Sequence, residues 1–242
     1  MKKKVILILG PTASGKTKKA LEMAKENNGE IISVDSRQVF QEIPKFSGAV
    51  SEEEKKEVPH YFVGELSLEK GDEFNIAEFQ KKALERIEEI LARGKTPILV
   101  GGSSFFFEAI LYQNFLPAVE PDLELRKELE QKTNEELFQE ILEKDKKTAQ
   151  RIDKNNPARL IRAVEIIRKI GFVPEQKKNL RKEYDFEVIF LAPEKELRDK
   201  KIEKNFLERV EELLGEAEIL RSKISAQKFQ QLGLAYKNIF DF

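Results

Sequence analysis

A short run of β-branched and aliphatic side chains, residues 5–9, passes directly into Gly10-Pro11-Thr12-Ala13-Ser14-Gly15-Lys16-Thr17. This junction constrains the fold more than any other feature. The run has the character of a strand buried on both faces, and the octapeptide matches G-x-x-x-x-G-K-[ST] in full. Residues 17–27 then follow a helical pattern, with Ala20, Leu21 and Ala24 on one side. A buried strand, a glycine-bearing turn and a helix make a cradle for phosphate. The glycines let the backbone wrap closely, successive N–H groups turn inward, and the helix dipole adds positive potential. Lys16 offers a cation to the outer phosphate oxygens, and the Thr17 hydroxyl is placed to hold Mg²⁺. The motif implies a bound di- or triphosphate. It leaves open whether the chain is an ATPase, a small-molecule kinase or a pyrophosphate-releasing transferase.

The pattern of strand and helix continues. Residues 30–34 read as a second short strand ending at Asp35, residues 60–63 as another, and residues 96–100 as a buried strand running into Gly101-Gly102. Residues 187–191 return to strand character. Residues 75–93 carry Ile76, Phe79, Ala83, Ile87 and Ile90/Leu91 at helical spacing, with Gly94 as a stop. This alternation predicts an α/β fold, a P-loop NTPase-like parallel sheet flanked by helices. Ligands of such sheets bind at the carboxyl ends of the strands, so the segments after Leu9, Val34 and Val100 are expected near one another. Residues 44–59 read as a loop with one exposed helical turn at most, and residues 104–112 as a helix. The stretch 117–152 is helical and charged, and reads as an insertion into a core of residues 1–116 and 153–242. Residues 157–170 form an amphipathic helix. Residues 194–214, a turn near Gly215 and helices to Phe242 finish the chain.

The 242 residues include no Cys and one His. Disulfides, thiol nucleophiles and Cys-ligated metals are excluded, and a His-based triad or metal site is disfavoured. Net charge is −1 although 36% of residues are charged. Nucleic acid would therefore need a local patch rather than a global field. Residues 120–146 carry ten acids and five bases, and residues 154–182 carry nine bases and two acids, a local excess of +7. The second stretch reads as a patch for a phosphate backbone. No run approaches the roughly 18–20 apolar residues of a membrane span. Met1-Lys2-Lys3-Lys4 and the apolar run behind it lack a cleavage site, so a cytoplasmic protein is expected.

Asp35 follows the second strand in Asp35-Ser36-Arg37-Gln38-Val39-Phe40. At the carboxyl edge beside the cradle, a carboxylate holds Mg²⁺ through water or takes a proton from a nucleophile. A turn or helix-cap aspartate is the competing reading. Here the residues resemble a known family. The octapeptide, Ile31-Ile32-Ser33-Val34-Asp35-Ser36-Arg37-Gln38-Val39-Phe40, Val58-Pro59-His60, Ala77-Glu78-Phe79-Gln80 and Pro97-Ile98-Leu99-Val100-Gly101-Gly102-Ser103 are similar, in order and spacing, to the bacterial tRNA dimethylallyltransferases. Later segments match as well: Pro121-Asp122 with Leu125-Arg126, Asn156-Pro157 with Arg159 through Glu165, and Gln231-Leu232-Gly233 with Tyr236-Lys237. The resemblance is weakest over residues 41–57 and 171–225.

The resemblance implies transfer of a dimethylallyl group from its diphosphate to the exocyclic amine of the adenosine just 3′ of the anticodon, with Mg²⁺ assisting. It implies dimethylallyl diphosphate and a tRNA anticodon stem-loop as partners of a monomer. Gly10, Pro11, Thr12, Ala13, Ser14, Gly15, Lys16 and Thr17 would grip the diphosphate, and Arg221 aligns with a further diphosphate-binding arginine. Asp35 would accept the proton from the amine, with Ser103 and Lys16 completing the catalytic set. Ser36, Arg37 and Gln38 would hold the extruded base. Arg126 matches one tRNA-contacting position, and Ala158, Arg159, Leu160, Ile161 and Arg162 match another.

The chain departs from the family in places. Phe46-Ser47-Gly48-Ala49-Val50 stands where a Gly-Thr-Ala-Lys-Pro segment is usual, so its lysine is missing. Ser103 replaces a threonine, Phe40 and Phe106 replace tyrosines, and the chain ends at Phe242, earlier than most members. Phe105-Phe106-Phe107 reads as core packing and His60 as a structural residue. Two other enzyme readings share the cradle: prenylation of free adenine nucleotides, and phosphorylation of a small metabolite from ATP. A tRNA-binding remnant without activity is the non-enzymatic alternative.

Overall fold

The apolar run behind the phosphate motif is fully buried at Val5, Ile6, Leu7 and Ile8. A computed structural model describes residues 3–70, 74–175, 178–225, 229 and 232. In chain order these form β1 (Lys3–Leu9), α1 (Lys16–Glu26), β2 (Gly29–Val34), α2 (Pro44–Ser47), α3 (Glu52–Glu57), β3 (His60–Tyr61), α4 (Ile76–Ala92), β4 (Thr96–Gly101) and α5 (Ser104–Leu111). There follow β5 (Tyr112–Gln113), α6 (Leu123–Leu129), α7 (Asn134–Lys144), α8 (Lys146–Arg151), α9 (Pro157–Ile170), β6 (Asn179–Leu180), β7 (Tyr184–Phe190), α10 (Lys195–Leu207) and α11 (Val210–Lys223). The chain divides into two units: Met1–Leu111 with Arg181–Phe242, and Tyr112–Leu180.

The first unit holds a parallel sheet of order β3-β2-β4-β1-β7. Its strands alternate their side chains between two cores. Val5 and Leu7 join Ile32, Val34 and Leu99 against Phe79, Ala83 and Ile87 of α4 and Phe107 and Ile110 of α5. Ile6 and Ile8 join Ile31 and Ile98 against Ala20, Met23 and Ala24 of α1. Burial on both faces explains why these strands lack polar alternation. The expected α/β architecture is therefore present.

Three local expectations need correction. β7 starts at Tyr184 rather than Glu187, because it pairs with β1 along its whole length, from Lys3 opposite Tyr184 to Leu9 opposite Phe190. Residues 44–59 hold two short helices, and α3 carries a capping box in which the Ser51 hydroxyl accepts from the Glu54 N–H. The helix also continues through Gly215. Leu213, Ala217 and Leu220 are buried along that face, and the break falls earlier, at Glu208-Arg209.

In the second unit, α7 packs on α9. Leu137 and Ile141 meet Leu160, Ala163, Val164 and Ile167 in one core. The expected insertion, 117–152, lies inside this unit, which extends further at both ends because α9 shares its core and β5 pairs antiparallel with β6. The Asn156 side chain caps α9 through the Arg159 N–H, and Gly171 ends it with a φ of 88°.

The acidic and basic stretches of the sequence meet here. Arg168 donates to Glu140 at 2.6 and 2.9 Å and to Glu128 at 3.0 Å, and Lys169 pairs with Asp122 at 3.4 Å. Glu165 is fully buried. It accepts from the Asp122 N–H at 2.6 Å, from Arg126 at 2.9 and 3.0 Å, and from Arg162. Arg162 also donates to the Val119 carbonyl at 2.7 Å. One carboxylate thus fastens the segment leading into α6 onto α9. Burial pushes the Glu165 carboxyl up, but the bonds from Arg126, the Asp122 N–H and Arg162 outweigh it and hold the group at about 2 against an ordinary 4.5. A depressed carboxylate stabilises the fold above its unfolded value, and that contribution disappears as pH falls through its folded value. Glu165→Ala should cost about 3 kcal/mol at neutral pH, since it leaves two guanidinium groups without their counter-charge. Urea unfolding at pH 7 and pH 3 checks this. The variant should lose less stability on acidification than the unmutated protein, and an equal loss would count against the assignment.

Candidate active site

The carboxyl edge of the sheet brings three segments together. Leu9 is in register with Gly101, and Gly101 with Val34. A side chain at Gly101 would overlap the Val34 carbonyl oxygen, and one at Gly10 would come within 2.5 Å of the Leu191 carbonyl oxygen. Glycine is required at both positions because backbone meets backbone there. The loop after β1, Asp35 after β2 and Ser103 after β4 all leave this edge.

The phosphate loop has the conformation its motif demands. Ala13 and Gly15 have left-handed φ of 63° and 87° on either side of Ser14, and α1 starts at Lys16. Such alternation turns successive N–H groups toward one point. Lys16 Nζ donates to the Pro11 carbonyl at 2.7 Å. Burial lowers the Lys16 pKa, and the negative charge of Asp35 acts on it in the opposite sense. The Ser14 hydroxyl is buried without a hydrogen-bond partner. An oxyanion in the cradle would satisfy it and compensate the half-buried ammonium. Thr17 sits in the first turn of α1.

Asp35 makes the local bonds of the turn reading. Its Oδ1 accepts from the Arg37 N–H at 2.8 Å and from the Gln38 N–H at 3.4 Å, as a turn aspartate does. These bonds engage one carboxylate oxygen and fix the rotamer of the group. Gln38 is tied on both sides of its amide. Oε1 accepts from the Ser33 hydroxyl at 2.7 Å, and Nε2 donates to the carbonyls of Ser47 at 3.3 Å and Gly48 at 3.2 Å. It therefore braces the loop. Ser36 and Arg37 are half-buried beside it. Ser103 immediately precedes α5, its carbonyl accepting from the Phe107 N–H.

Thr17 and Asp35 supply hard oxygen atoms of the kind Mg²⁺ prefers. Among the described residues there is no group of three or more His, Cys, Asp or Glu that could hold a metal ion. The donors fit an ion that keeps waters and shares phosphate oxygens, rather than one caged by protein alone.

The remaining assignments divide. Arg159 and Ala158 are exposed at the start of α9. Leu160 is fully buried in the core, Ile161 packs beside it, and Arg126 and Arg162 are bound to Glu165. A helix start exposes only part of its circumference, so Ala158 and Arg159 face outward while Leu160 faces the core. Arg221 lies in the last turn of α11, which packs on α2. Gln231, Gly233, Tyr236 and Lys237 lie outside the described residues. His60 Nδ1 lies 2.7 Å from the Val58 carbonyl, and burial lowers its pKa, in keeping with a structural role. Phe107 is buried and Phe106 stacks near Phe79 at 4.8 Å, whereas Phe105 is exposed. Sequence reasoning missed Glu216, whose carboxylate receives the N–H groups of Lys45 and Phe46. No spacing pattern announces a contact between residues so far apart in the chain.

Among the described residues, no helix is long and apolar enough to cross a membrane. A family model described as IPP transferase matches residues 38–242. A protein from Acetivibrio thermocellus named tRNA dimethylallyltransferase is 36% identical, over 98% of this chain and 79% of its own length. The crystal structure of the full-length tRNA isopentenylpyrophosphate transferase from Bacillus halodurans is similar with a TM-score of 0.68 and 34% identity, covering 99% of this chain and 77% of that one. A eukaryotic dimethylallyltransferase shares the fold with a TM-score of 0.81 at 23% identity, covering 99% of this chain and 65% of the other. On this family-model match and on relatives similar along nearly its whole length, this chain belongs to the IPP transferase family.

Proposed function

We propose that this protein transfers a dimethylallyl group from dimethylallyl diphosphate to the exocyclic amine of the adenosine just 3′ of the tRNA anticodon. The observation that supports this reading is that the phosphate loop and Asp35 leave the same edge of the sheet, where Leu9, Gly101 and Val34 stand in register. The carbon–oxygen bond of the allyl diphosphate breaks, and its electron pair leaves with the diphosphate. The loop N–H groups, the Ser14 hydroxyl and Lys16 stabilise the charge gathering there. The amine nitrogen forms the new bond to the allyl carbon. Its lone pair is delocalised into the ring, so loss of a proton to Asp35 assists the attack. Ser103, at the mouth of β4, offers a hydroxyl to the reacting phosphate and amine. When bound at Thr17, Mg²⁺ would neutralise charge on the leaving group.

The adenosine must leave its stack to enter such a site. Arg159 is the side chain of α9 that this reading assigns to the tRNA backbone. The enzyme acts as a monomer in the cytoplasm. Incubation with labelled dimethylallyl diphosphate and either tRNA or AMP distinguishes the reading from its rivals. Label should enter tRNA; label in AMP alone, or phosphoryl transfer from ATP without prenyl transfer, would replace it.

Two variants extend the test. Asp35→Ala should lower kcat by about 10²–10⁴-fold, the range for a positioned base, while diphosphate binding measured by calorimetry stays close to normal. A rate near that of the unmutated enzyme would remove Asp35 from the chemistry. Arg159→Ala should weaken tRNA binding and reduce the slope of log K against log salt by about one. An unchanged slope would move the contact to another surface.

A further inference from the structure

The loop that presents Asp35 is braced from the opposite end of the chain. α2 has four residues, none of them fully buried. A helix this short does not hold itself, and its first N–H groups need acceptors. Glu216 of α11 supplies them: its Oε2 accepts from the Lys45 N–H at 2.7 Å and its Oε1 from the Phe46 N–H at 3.0 Å. Two further contacts join the same elements. The Arg209 guanidinium donates to the Lys45 carbonyl, and Lys45 Nζ pairs with Glu212 at 2.9 Å. The far end of α2 meets the active site, where the Ser47 and Gly48 carbonyls receive the Gln38 amide. Gln38 in turn gives its N–H to Asp35 Oδ1. A continuous chain of hydrogen bonds thus runs from α11 through α2 and Gln38 to the carboxylate.

We propose that Glu216 is a positioning residue: it fixes α2, and through the Gln38 amide it sets the orientation of residues 35–38 toward the adenosine. The inference rests on the assignment of Asp35 as proton acceptor. The Glu216 carboxylate meets the chain where residues 46–50 lack the usual Gly-Thr-Ala-Lys-Pro sequence, at the N–H groups of Lys45 and Phe46. Salt bridges on the rim add little by themselves, whereas a carboxylate accepting two backbone N–H groups fixes direction as well as distance.

The test compares Glu216→Ala, Glu216→Gln, Gln38→Ala and the double variant Glu216→Ala with Gln38→Ala in steady-state prenylation of tRNA. Hydrogen exchange over residues 36–48 is measured on the same proteins. Glu216→Ala should lower kcat/KM for tRNA about 10-fold, equivalent to one lost charge-assisted contact, while KM for the diphosphate donor stays within about twofold. Glu216→Gln keeps one acceptor oxygen and should recover part of the loss. The double variant should be no worse than Gln38→Ala, because both changes interrupt one path. Amides of residues 36–48 should exchange faster in Glu216→Ala, with residues 5–9 unchanged.

An unaltered kcat/KM for tRNA, additive losses in the double variant, or equal loosening of residues 5–9 would each overturn the proposal. Absence of any prenyl transfer by the unmutated protein would instead overturn the assigned reaction, and the exchange measurement would still decide whether Glu216 holds residues 36–48.

Discussion

Backbone meets backbone where the strands end, and the absence of side chains at Gly10 and Gly101 makes this possible. A Cβ at Gly101 has no room beside the Val34 carbonyl, and one at Gly10 has none beside Leu191. The close approach has a chemical consequence. Asp35 is the residue after Val34, and the phosphate loop begins at Gly10. Drawing these backbones together brings a carboxylate beside an anion cradle without any long side chain reaching across. Gly102, whose Cβ would lie 3.5 Å from the Gly10 carbonyl, brings Ser103 to the same mouth. Parallel strands make the arrangement reproducible, since all of them end on one edge.

Much of this was legible because the signals are local or periodic. Continuous apolar runs at 5–9 and 96–100 mark strands buried on both faces, and the phosphate motif fixes the turn between strand and helix. Asn156, Pro157 and Gly171 bracket α9 with cap chemistry readable from the sequence. The Ser51 and Glu54 capping box was equally readable, and it marks α3 inside a stretch whose high charge masks it. Gly215 misled for the opposite reason. Its low helix propensity is a weak local term, and packing by Leu213, Ala217 and Leu220 outweighs it.

Charge was the least legible property. A count over residues 154–182 gives an excess of +7, yet a count does not show partners. Arg162 and Arg126 are held by a buried Glu165, and Arg168 lies between Glu128 and Glu140. The acidic stretch that precedes the basic one in sequence is its counter-ion in space. Among the described residues of this stretch, Arg159 is exposed at the start of α9 and open to an external polyanion. Binding built on few phosphate contacts has a shallow salt dependence, because each contact neutralised releases roughly one counter-ion.

The two carboxylates that sequence reasoning left without a role, Glu165 and Glu216, solve the same physical problem. Each receives backbone N–H groups from a segment with little burial of its own: the Asp122 N–H before α6 in one case, the Lys45 and Phe46 N–H groups of α2 in the other. Short helices near irregular loops cannot rely on cooperativity, and an unpaired N–H shielded from water costs about 1–3 kcal/mol. A carboxylate brought from a distant helix satisfies these donors and fixes a direction, which an apolar contact does not. Their electrostatic settings differ. Arginine partners hold Glu165 at about 2, whereas burial pushes the Glu216 carboxyl above its ordinary value despite its two N–H donors and the nearby charges of Arg209 and Lys45. The difference follows from the partners: two guanidinium groups face Glu165, whereas Glu216 meets its segment through backbone N–H groups.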